Sequence, residues 1–374
     1  MPLNNKTNKR LNKMISIIIP TYNEAEVIVE TINKIKKTLK KNNQKIESSK
    51  YEYEIIVADD NSPDKTWQIV NKTFSTEKNI YAIRRQNVKK GLGPSVVDGF
   101  NHAQGNLLFV IDGDGQHDES KIPAMIKKIE ETRSDIVIGT RFRDGGSVKG
   151  WSKKRILISK TAALMAKPLL SQKISDPMSG FFAITKKYFN KSKKRINPLG
   201  YKILLEFLFA QPKAKITEVG FKFKLREKGE SKLGSDVIIE YIHMLIKQGL
   251  KKYNKFIKFC VVGLTGIVVN IGLLYYLTEY QNLYYIFSSG IAIEISIITN
   301  FILNNFWTWT KGTKNVLNRL WKFNAVSIIA LGINIITLYT FTEILGIWYI
   351  ISNLIGILAA TLVNFIVNDR WTFK

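Results

Sequence analysis

The stretch "NLLFVIDGDGQHD", residues 106–118, joins a continuous apolar run to a cluster of acids. Continuous apolar runs of this length are typical of strands that are buried on both faces, as in parallel sheets. Three side chains with oxygen atoms follow at alternate positions, so that they can turn to one side: Asp112, Asp114 and Gln116. Such oxygens suit a hard divalent ion that also binds phosphate, and a solvated acidic turn is the competing interpretation. The stretch therefore predicts a Mg²⁺ or Mn²⁺ site at the end of a buried strand.

Four further β-rich runs occur in the first two thirds of the chain: residues 14–20, 51–60, 79–85 and 134–141. Amphipathic segments such as 25–41 and 119–132 lie between the strands. This alternation predicts an open, mostly parallel α/β sheet with right-handed crossovers. Ligands bind beyond the carboxyl ends of the strands in such sheets. We therefore expect Asp59 and Asp60, which end the second run, to share one crevice with the acids of the opening stretch.

The last third of the chain has a different character. Four apolar segments each approach the roughly 20 residues that a helix needs to cross a bilayer: 256–278, 284–306, 321–343 and 347–368. The sequence "NFILNNFWTW" from Asn300 recurs as "NFIVNDRWTF" from Asn364, an offset of 64 residues. Polar positions match as well as apolar ones, and each repeat contains two segments. We therefore predict a membrane domain made of two parallel repeats of a helical hairpin.

The composition agrees with a membrane protein. The chain has 56 basic and 30 acidic residues, a formal net charge of +26, yet 45% of it is hydrophobic. Nucleic-acid-binding proteins show basic patches with few long apolar runs, so we expect a lipid bilayer as partner and no nucleic acid. Lysine and arginine cluster before the first segment, between the second and third, and after the fourth, whereas the other two loops have none. The positive-inside rule then places both termini in the cytoplasm.

The apolar run that follows the basic start of the chain is too short for the hydrophobic region of a signal peptide. We therefore expect the first domain to stay in the cytoplasm. The sequence divides into four parts: a basic tail over 1–13, an α/β domain over 14–234, an amphipathic interfacial helix or linker over 235–255, and the membrane domain over 256–374.

Glu294 lies in the middle of the second apolar segment. An acid inside a membrane span is costly and is a functional candidate by default. We expect it instead to make a protonated or hydrogen-bonded packing contact with Asn270 or Asn334.

Side chains suited to phosphate binding occur later in the α/β domain. Arg141 follows the end of a strand, and Arg155 and Ser159 stand one turn apart on a predicted helix, so that both can face one anion. Arg226 and Lys232 lie in a glycine-containing loop. Singly, each charge is more often a solvated surface residue, but arginine suits bidentate contacts with phosphate. Because lysine lacks that fork, we expect Arg141→Lys to reduce turnover much more than stability.

Eight motifs occur in order between about Ser16 and Leu233: "SIIIPTYNEAE", "VADDNSPDKTW", "KKGLGPSVVDGF", "VIDGDGQHD", "IGTRF", "SDPMSGFFAI", "PLGYKILLE" and "REKGESKL". Together they resemble the dolichol-phosphate (polyprenyl-phosphate) mannosyltransferases, which are inverting family 2 glycosyltransferases with the GT-A fold. The last third resembles a GtrA-like membrane domain through "KFCVVGLTGIVVN" and its helix pattern. The resemblance implies an α/β GT-A catalytic domain, with a Rossmann-like, mostly parallel sheet, followed by an all-α four-helix transmembrane domain.

The resemblance also implies the residues of the site. They are Pro20, Tyr22, Glu24, Val57 and Asp59 around a guanosine; Asp112, Gly113, Asp114 and Gln116 at the metal and the donor diphosphate; and Arg141, Arg155, Ser159, Arg226 and Lys232 at the donor and lipid phosphates. Members of the family often have "DADLQHP" where this chain has "DGDGQHD". The ligand side chains persist, and Asp118, which replaces a proline, is interpreted as a helix-start acid.

The implied reaction is the transfer of mannose from GDP-mannose to dolichyl (polyprenyl) phosphate, with inversion, at the cytoplasmic membrane face. The implied cofactor is Mg²⁺ or Mn²⁺. Two alternatives stay open. One is a polyprenyl-phosphate glucosyl- or aminosugar transferase that uses a UDP-sugar on the same fold. The other is a transporter or lipid flippase in which the membrane spans act and the soluble domain regulates.

Overall fold

The apolar runs predicted as strands all belong to one sheet in the computed structural model of the chain. The structure describes residues 14–45, 51–148, 150–198, 202–224 and 235–374. The chain divides into two compact units, Met1–Gln248 and Gly249–Lys374. The described part of the first unit contains the sheet, and the second unit is helical, as predicted for an α/β domain followed by an all-α domain.

Nine strands lie in the described part of the first unit: β1 Met14–Thr21, β2 Glu52–Asp59, β3 Ile80–Arg84, β4 Leu107–Val110, β5 Ile136–Thr140, β6 Ser147–Val148, β7 Phe182–Thr185, β8 Ile216–Gly220 and β9 Lys222–Phe223. Seven of them form one sheet in the order β3-β2-β1-β4-β7-β5-β8, and β6 pairs with β9. The five predicted runs are β1 to β5. The sequence pattern did not predict β7, which runs antiparallel between β4 and β5, or β8, which extends the sheet beside β5.

Helices cover both faces of the sheet: α1 Ile28–Lys45, α2 Thr66–Thr73, α3 Leu92–His102, α4 Ile122–Thr132, α5 Lys153–Ala166, α6 Lys186–Ser192, α7 Ile203–Ala210 and α8 Ser235–Lys252. Alternate residues of β1 point to opposite faces, so Ile17 and Ile19 pack with α1 and α4, while Ile18 packs with α3 and α7. Each is fully buried, which stabilises the fold by about 1.5–3 kcal/mol per side chain. The predicted linker over 235–255 corresponds to α8, and the division between the units falls within this helix.

The order of the strands places a switch point between β1 and β4. The chain adds β2 and β3 on one side of β1, whereas β4 pairs with its other side. The loops that leave the carboxyl ends of β1 and β4 therefore diverge and open a crevice, which is where ligands bind in parallel sheets. Because β4 ends at Val110, Asp112 and Asp114 lie in the loop just beyond it.

Among the residues that the structure describes, four helices are long and apolar enough to cross a membrane: Asn254–Tyr280, Tyr285–Thr308, Val316–Ile344 and Tyr349–Thr372. Each combines an α-helix with a final π-helical turn; the α-helices are α9 Asn254–Tyr275, α10 Tyr285–Leu303, α11 Val316–Tyr339 and α12 Tyr349–Val367. The predicted segments overlap all four. The third begins at 321 in the prediction but at Val316 in the structure, because hydropathy does not mark a first turn that contains Arg319.

The 64-residue repeat of the sequence is also a repeat of the structure, since α10 and α12 begin and end at positions with this offset. Equivalent aromatic residues of the two hairpins contact each other. Trp309 and Phe373 stack with ring centroids 4.3 Å apart and an interplanar angle of 9°. Phe259 and Phe323, another equivalent pair, belong to the same buried cluster. The two hairpins therefore pack about a pseudo-twofold axis that passes close to the Trp309–Phe373 stack.

Glu294 is exposed on α10 and makes no hydrogen bond or ion pair with any residue that the structure describes. The predicted hydrogen bond to Asn270 or Asn334 is therefore wrong. The side-chain oxygen of Asn334 lies instead against Gly356, where there is no room for a Cβ atom. Hydropathy placed Glu294 in a span but could not tell which side of the helix meets its neighbours.

Candidate active site

The loop after β4 carries the oxygen-bearing side chains of the opening stretch. Gly115 has a φ of +70°, a left-handed conformation that favours glycine, and separates Asp114 from Gln116. The backbone N–H of Gln116 donates to Asp114 Oδ1 at 3.1 Å, and its side-chain amide donates to the carbonyl oxygen of Lys224 at 3.1 Å. Asp112, Asp114 and Gln116 line one cavity of about 330 Å³. The structure therefore brings the three predicted metal ligands together.

His117 lies directly behind this loop and is almost fully buried. Its Nδ1 accepts a hydrogen bond from the backbone N–H of Asp112 at 3.0 Å, so its proton is on Nε2, 3.7 Å from Asp112 Oδ2. The ring stacks on Phe181, and Phe221 and Phe223 pack against it edge-on. Burial lowers the pKa of His117 to about 4, so the ring is neutral at pH 7. The neutral ring holds the backbone of Asp112 and turns an N–H toward its carboxylate.

Arg141 reaches the cavity, but its guanidinium is already bound to an internal carboxylate. Its Nε and Nη2 donate to Asp176 Oδ2 and Oδ1 at 2.7 and 2.8 Å, and its backbone N–H donates to Oδ2 at 3.1 Å. Asp176 is fully buried, and Arg141 is 9% exposed. A planar guanidinium makes this bidentate contact, whereas an ammonium group does not. Arg141 can therefore offer a ligand only the N–H groups that Asp176 does not use.

Helix α5 brings Arg155 and Ser159 to the same cavity, as their spacing predicted. The Arg155 guanidinium lies 4.2 Å from the centre of the Trp151 ring, and the Arg141 guanidinium lies 5.3 Å from the same ring. The buried indole N–H of Trp151 has no hydrogen-bond partner among the residues described. An unpaired donor beside two guanidinium groups is a natural contact for an anion in the cavity.

The five residues predicted around a guanosine lie in or just after β1 and β2 and do not line this cavity: Pro20, Tyr22, Glu24, Val57 and Asp59. Tyr22 is half-buried, with Lys90 Nζ 5.3 Å from its ring centre. Val57 and Asp59 have no exposed surface. The carboxylate of Asp59 accepts hydrogen bonds from the backbone N–H and the hydroxyl of Ser62 at 2.8 and 2.6 Å. In this structure Asp59 therefore holds the loop after β2.

Asp60 likewise does not line the cavity, because its carboxylate binds other groups of the protein. It forms a buried ion pair with Arg85 and accepts a hydrogen bond from the backbone N–H of Gly91 at 2.7 Å. Gly91 has a φ of +134° and precedes α3, whose first residue, Leu92, lines the cavity. Asp60 thus positions the start of α3. The structure places Asp112 and Asp114 in the shared cavity, but not Asp59 and Asp60.

Three residues at or behind the cavity were not singled out by their type and spacing: Trp151, Asp176 and Lys202. Asp176 and Lys202 belong to the motifs "SDPMSGFFAI" and "PLGYKILLE", so the resemblance is the one signal that could have found them. Gly180, in the first of these motifs, leaves space for the metal-ligand candidate, because a Cβ atom there would lie 3.0 Å from Asp112 Oδ2. Two predicted phosphate ligands lie outside the described residues: Arg226 and Lys232.

The cavity suits a divalent cation that shares its ligands with a phosphate. Among the residues described, no three His, Cys, Asp or Glu side chains are grouped closely enough to enclose an ion. Mg²⁺ and similar ions bind through one or two carboxylates and complete their shell with water and phosphate oxygens. Asp112 and Asp114 supply those carboxylates, and the Gln116 oxygen is available because its amide nitrogen donates to Lys224. The residues therefore fit such an ion.

We expect His117→Phe to weaken Mn²⁺ binding by about 10- to 100-fold, the usual effect of losing a group that orients a metal ligand. The phenyl ring keeps the packing but leaves the N–H of Asp112 without its acceptor. His117→Asn retains an acceptor close to Nδ1, so its loss should be smaller. Titration with Mn²⁺ followed by electron paramagnetic resonance measures both variants, with thermal unfolding as the control. Equal affinities in all three proteins would show that His117 does not position Asp112.

Two family models match the chain, one over most of the domain that contains the sheet and the cavity and one over the membrane helices. The family model "Glycosyl transferase family 2" matches residues 16–192, and the model "GtrA/DPMS, transmembrane domain" matches residues 258–374. The protein is therefore an integral membrane glycosyltransferase with a GT-A catalytic domain.

A dolichol-phosphate mannosyltransferase from Pyrococcus furiosus is 37% identical over 368 residues, which are 96% of this chain and 99% of that protein. The dolichol-phosphate mannosyltransferase of Mycosarcoma maydis is 39% identical over 197 residues, 52% of this chain and 66% of that protein. That of Saccharomyces cerevisiae is 39% identical over 199 residues, 51% and 73% of the two chains. The chain belongs to the dolichol-phosphate mannosyltransferase family.

Solved structures are more distant. Glucosyl-3-phosphoglycerate synthase from Mycobacterium tuberculosis, in complex with Mn²⁺, UDP-glucose and phosphoglyceric acid, is 18% identical with a TM-score of 0.44, covering 63% of this chain and 79% of that one. Mannosyl-3-phosphoglycerate synthase from Rubrobacter xylanophilus is 17% identical with a TM-score of 0.44, covering 65% and 75%. Similarity at this level carries no argument about this chain.

Proposed function

We propose that the protein transfers mannose from GDP-mannose to the phosphate of dolichol or another polyprenol, with inversion, using Mg²⁺ or Mn²⁺. The observation that carries this proposal is the single cavity that contains the carboxylates of Asp112 and Asp114 together with Arg141 and Arg155. Carboxylates suit a metal-bound diphosphate, and guanidinium groups suit a phosphate. The names of the relatives support mannose as the sugar and a lipid phosphate as the acceptor.

The rest of the cavity wall is largely apolar, which suits a polyprenyl chain. Ile158 and Ala162 of α5 and Val237 and Ile238 of α8 line it. The Tyr241 hydroxyl of α8 donates a hydrogen bond to the carbonyl oxygen of Ala162, which ties the two helices together. Covering such a wall with hydrocarbon is favourable by about 25 cal/mol per Å² of apolar surface removed from water. These helices therefore support a lipid acceptor over a small water-soluble one.

The proposed acceptor needs no general base. A phosphate monoester carries about −1.5 to −2 charge near neutral pH, so its oxygen is already a nucleophile. His117, the histidine among the described cavity residues, has a pKa of about 4 and uses Nδ1 to accept from Asp112. It is therefore a support for the loop rather than a base.

The remaining task of the protein is to hold two substrates in line. Arg155 and Ser159 orient the acceptor phosphate, and Asp112 and Asp114 hold the cation, which when bound supplies positive charge to the leaving diphosphate. The bond from the anomeric carbon to the diphosphate breaks while the bond to the lipid phosphate forms on the opposite face. The product is then a β-linked mannosyl phosphate lipid.

Family membership extends the proposal to the nucleotide. It supports the guanosine near Pro20, Tyr22, Glu24, Val57 and Asp59, and the phosphates near Arg226 and Lys232. Tyr22, half-buried beside Lys90, carries the aromatic ring that would contact the base.

The full-length protein in detergent tests the reaction. With Mn²⁺ present, we expect transfer of labelled mannose from GDP-mannose to farnesyl phosphate, a β-anomeric product by nuclear magnetic resonance, and no transfer from UDP-glucose. Efficient transfer from UDP-glucose would show that the donor is a UDP-sugar and not GDP-mannose. Movement of a labelled lipid phosphate across proteoliposomes, without any sugar transfer, would favour the flippase.

We propose further that both termini and the catalytic domain are cytoplasmic. Lysines and arginines precede the first span, lie between the second and third, and follow the fourth, and these three segments lie on one side of the membrane. Sealed inside-out membrane vesicles test this orientation. GDP-mannose cannot cross the bilayer, so added donor should be used by inside-out vesicles and not by right-side-out vesicles.

A further inference from the structure

Lys202 is a cation of the cavity to which neither residue spacing nor the comparisons assign a role. It immediately precedes α7, whose buried first turn fixes the chain at this point. Lys202 lines the cavity together with Arg141 and Arg155. Its ammonium group makes no hydrogen bond or ion pair with any residue that the structure describes, whereas Arg141 is bound to Asp176. The cavity therefore contains a lysine whose charge no described carboxylate offsets directly.

Lys202 is half-buried near the guanidinium of Arg141, so an anion in the cavity would stabilise its charge. Burial lowers the pKa of Lys202, and the charge of Arg141 lowers it further, while Asp112 and Asp176 act in the opposite direction. The Asp176 carboxylate is already shared between the guanidinium and the backbone N–H of Arg141. An anionic ligand would replace the hydration that Lys202 has lost.

We propose that Lys202 binds a phosphate oxygen of a substrate in this cavity, either the monophosphate of the lipid acceptor or the diphosphate of the donor. This inference rests on the proposed function. Lysine is a compact charge with three donors on a flexible stem, so it can follow a phosphate that changes position, whereas Arg141 is held by Asp176. Lys202 thereby supplies a phosphate contact that Arg141 cannot fully supply.

The test compares the full-length protein with Lys202→Met, Lys202→Arg and a matched control, Lys213→Met. Lys213 is exposed in the turn before β8 and does not line the cavity. Calorimetry measures the binding of GDP-mannose with Mn²⁺ in the absence of acceptor, and initial rates give the KM for farnesyl phosphate. We expect Lys202→Met to weaken one of the two by about 10- to 100-fold, the range for losing a hydrogen bond to a charged group. Lys202→Arg should lose less, and Lys213→Met should match the wild type.

The two measurements distinguish the sources of the phosphate. Weaker binding of GDP-mannose assigns Lys202 to the donor diphosphate, and a higher KM for farnesyl phosphate assigns it to the acceptor. Unchanged values for both, in a variant with normal thermal unfolding, overturn the proposal; if Lys202→Met does not fold, Lys202→Gln decides in the same way. A wild type that transfers no mannose refutes the proposed function separately. Binding of GDP-mannose or inorganic pyrophosphate then still tests Lys202: weaker binding by Lys202→Met supports the contact, and equal binding overturns it.

Discussion

Asp114→Asn should reduce glycosyl transfer by about 1,000-fold or more at every Mn²⁺ concentration. Asparagine keeps the shape of the side chain and can still accept from the N–H of Gln116, so the loop should fold normally. It removes one of the two carboxylates that would hold the cation beside the leaving group. Charge stabilisation of this kind contributes several kcal/mol to the transition state, and about 4 kcal/mol corresponds to 1,000-fold in rate. Initial rates over a Mn²⁺ series measure the loss, with thermal unfolding as the check on the fold.

Asp118→Asn is the matched control, because Asp118 follows Asp114 in the same loop and also carries one negative charge. Its Oδ1 accepts hydrogen bonds from the N–H and the hydroxyl of Ser120 at 3.2 and 2.6 Å, which caps the short turn over Glu119–Lys121. The structure agrees with the prediction of a helix-start acid. We expect transfer within about twofold of the wild type, since the change lies outside the cavity. Near-normal transfer by Asp114→Asn would contradict the metal assignment, and an equal loss in both variants would assign the effect to the loop.

The strands that the sequence predicted are those whose signal is local. β1, β2, β4 and β5 are largely runs of apolar residues buried on both faces, and a continuous apolar run reveals such burial without knowledge of distant partners. β3, at the edge of the sheet, is only partly buried. β7 has only four residues, and it became a strand through antiparallel pairing with β4 and β5. Its partners lie tens of residues away, so nothing in "FAIT" alone distinguishes a central strand from a loop.

The same contrast explains the site. Asp112, Asp114 and Gln116 were predictable because alternate spacing after a strand is a local pattern. Asp176 looks like a turn residue in "SDPMSG", and its role depends on meeting Arg141 at a distance of 35 residues along the chain. Lys202 lines the cavity beside Arg141 and Arg155, a position that only the tertiary fold creates. Residue type predicted which side chains could bind a metal or a phosphate, but only the fold shows which of them are already paired with other residues, as Arg141 is with Asp176.

The pair formed by Arg141 and Asp176 gives the second large effect. The chemistry of the residues alone predicted that Arg141→Lys would reduce turnover much more than stability. The structure changes this expectation, because Arg141 makes three hydrogen bonds to a fully buried carboxylate. Lysine leaves part of that carboxylate without a donor, and breaking a buried pair costs about 3–5 kcal/mol. We therefore expect Arg141→Lys to lower both the free energy of unfolding and the rate of transfer, the latter by about 100-fold or more.

The double variant Arg141→Lys/Asp176→Asn separates the two effects. Asparagine at position 176 removes the buried negative charge that lysine at position 141 cannot fully pair with. The double variant should therefore be more stable than the sum of the two single losses predicts. Thermal or denaturant unfolding of all four proteins in detergent gives the coupling, and initial rates on the same samples give the activity. If the N–H groups of Arg141 that Asp176 does not use contact a substrate phosphate, activity stays low even where stability returns. Recovery of activity in step with stability would instead mean that Arg141 acts only by holding the site together.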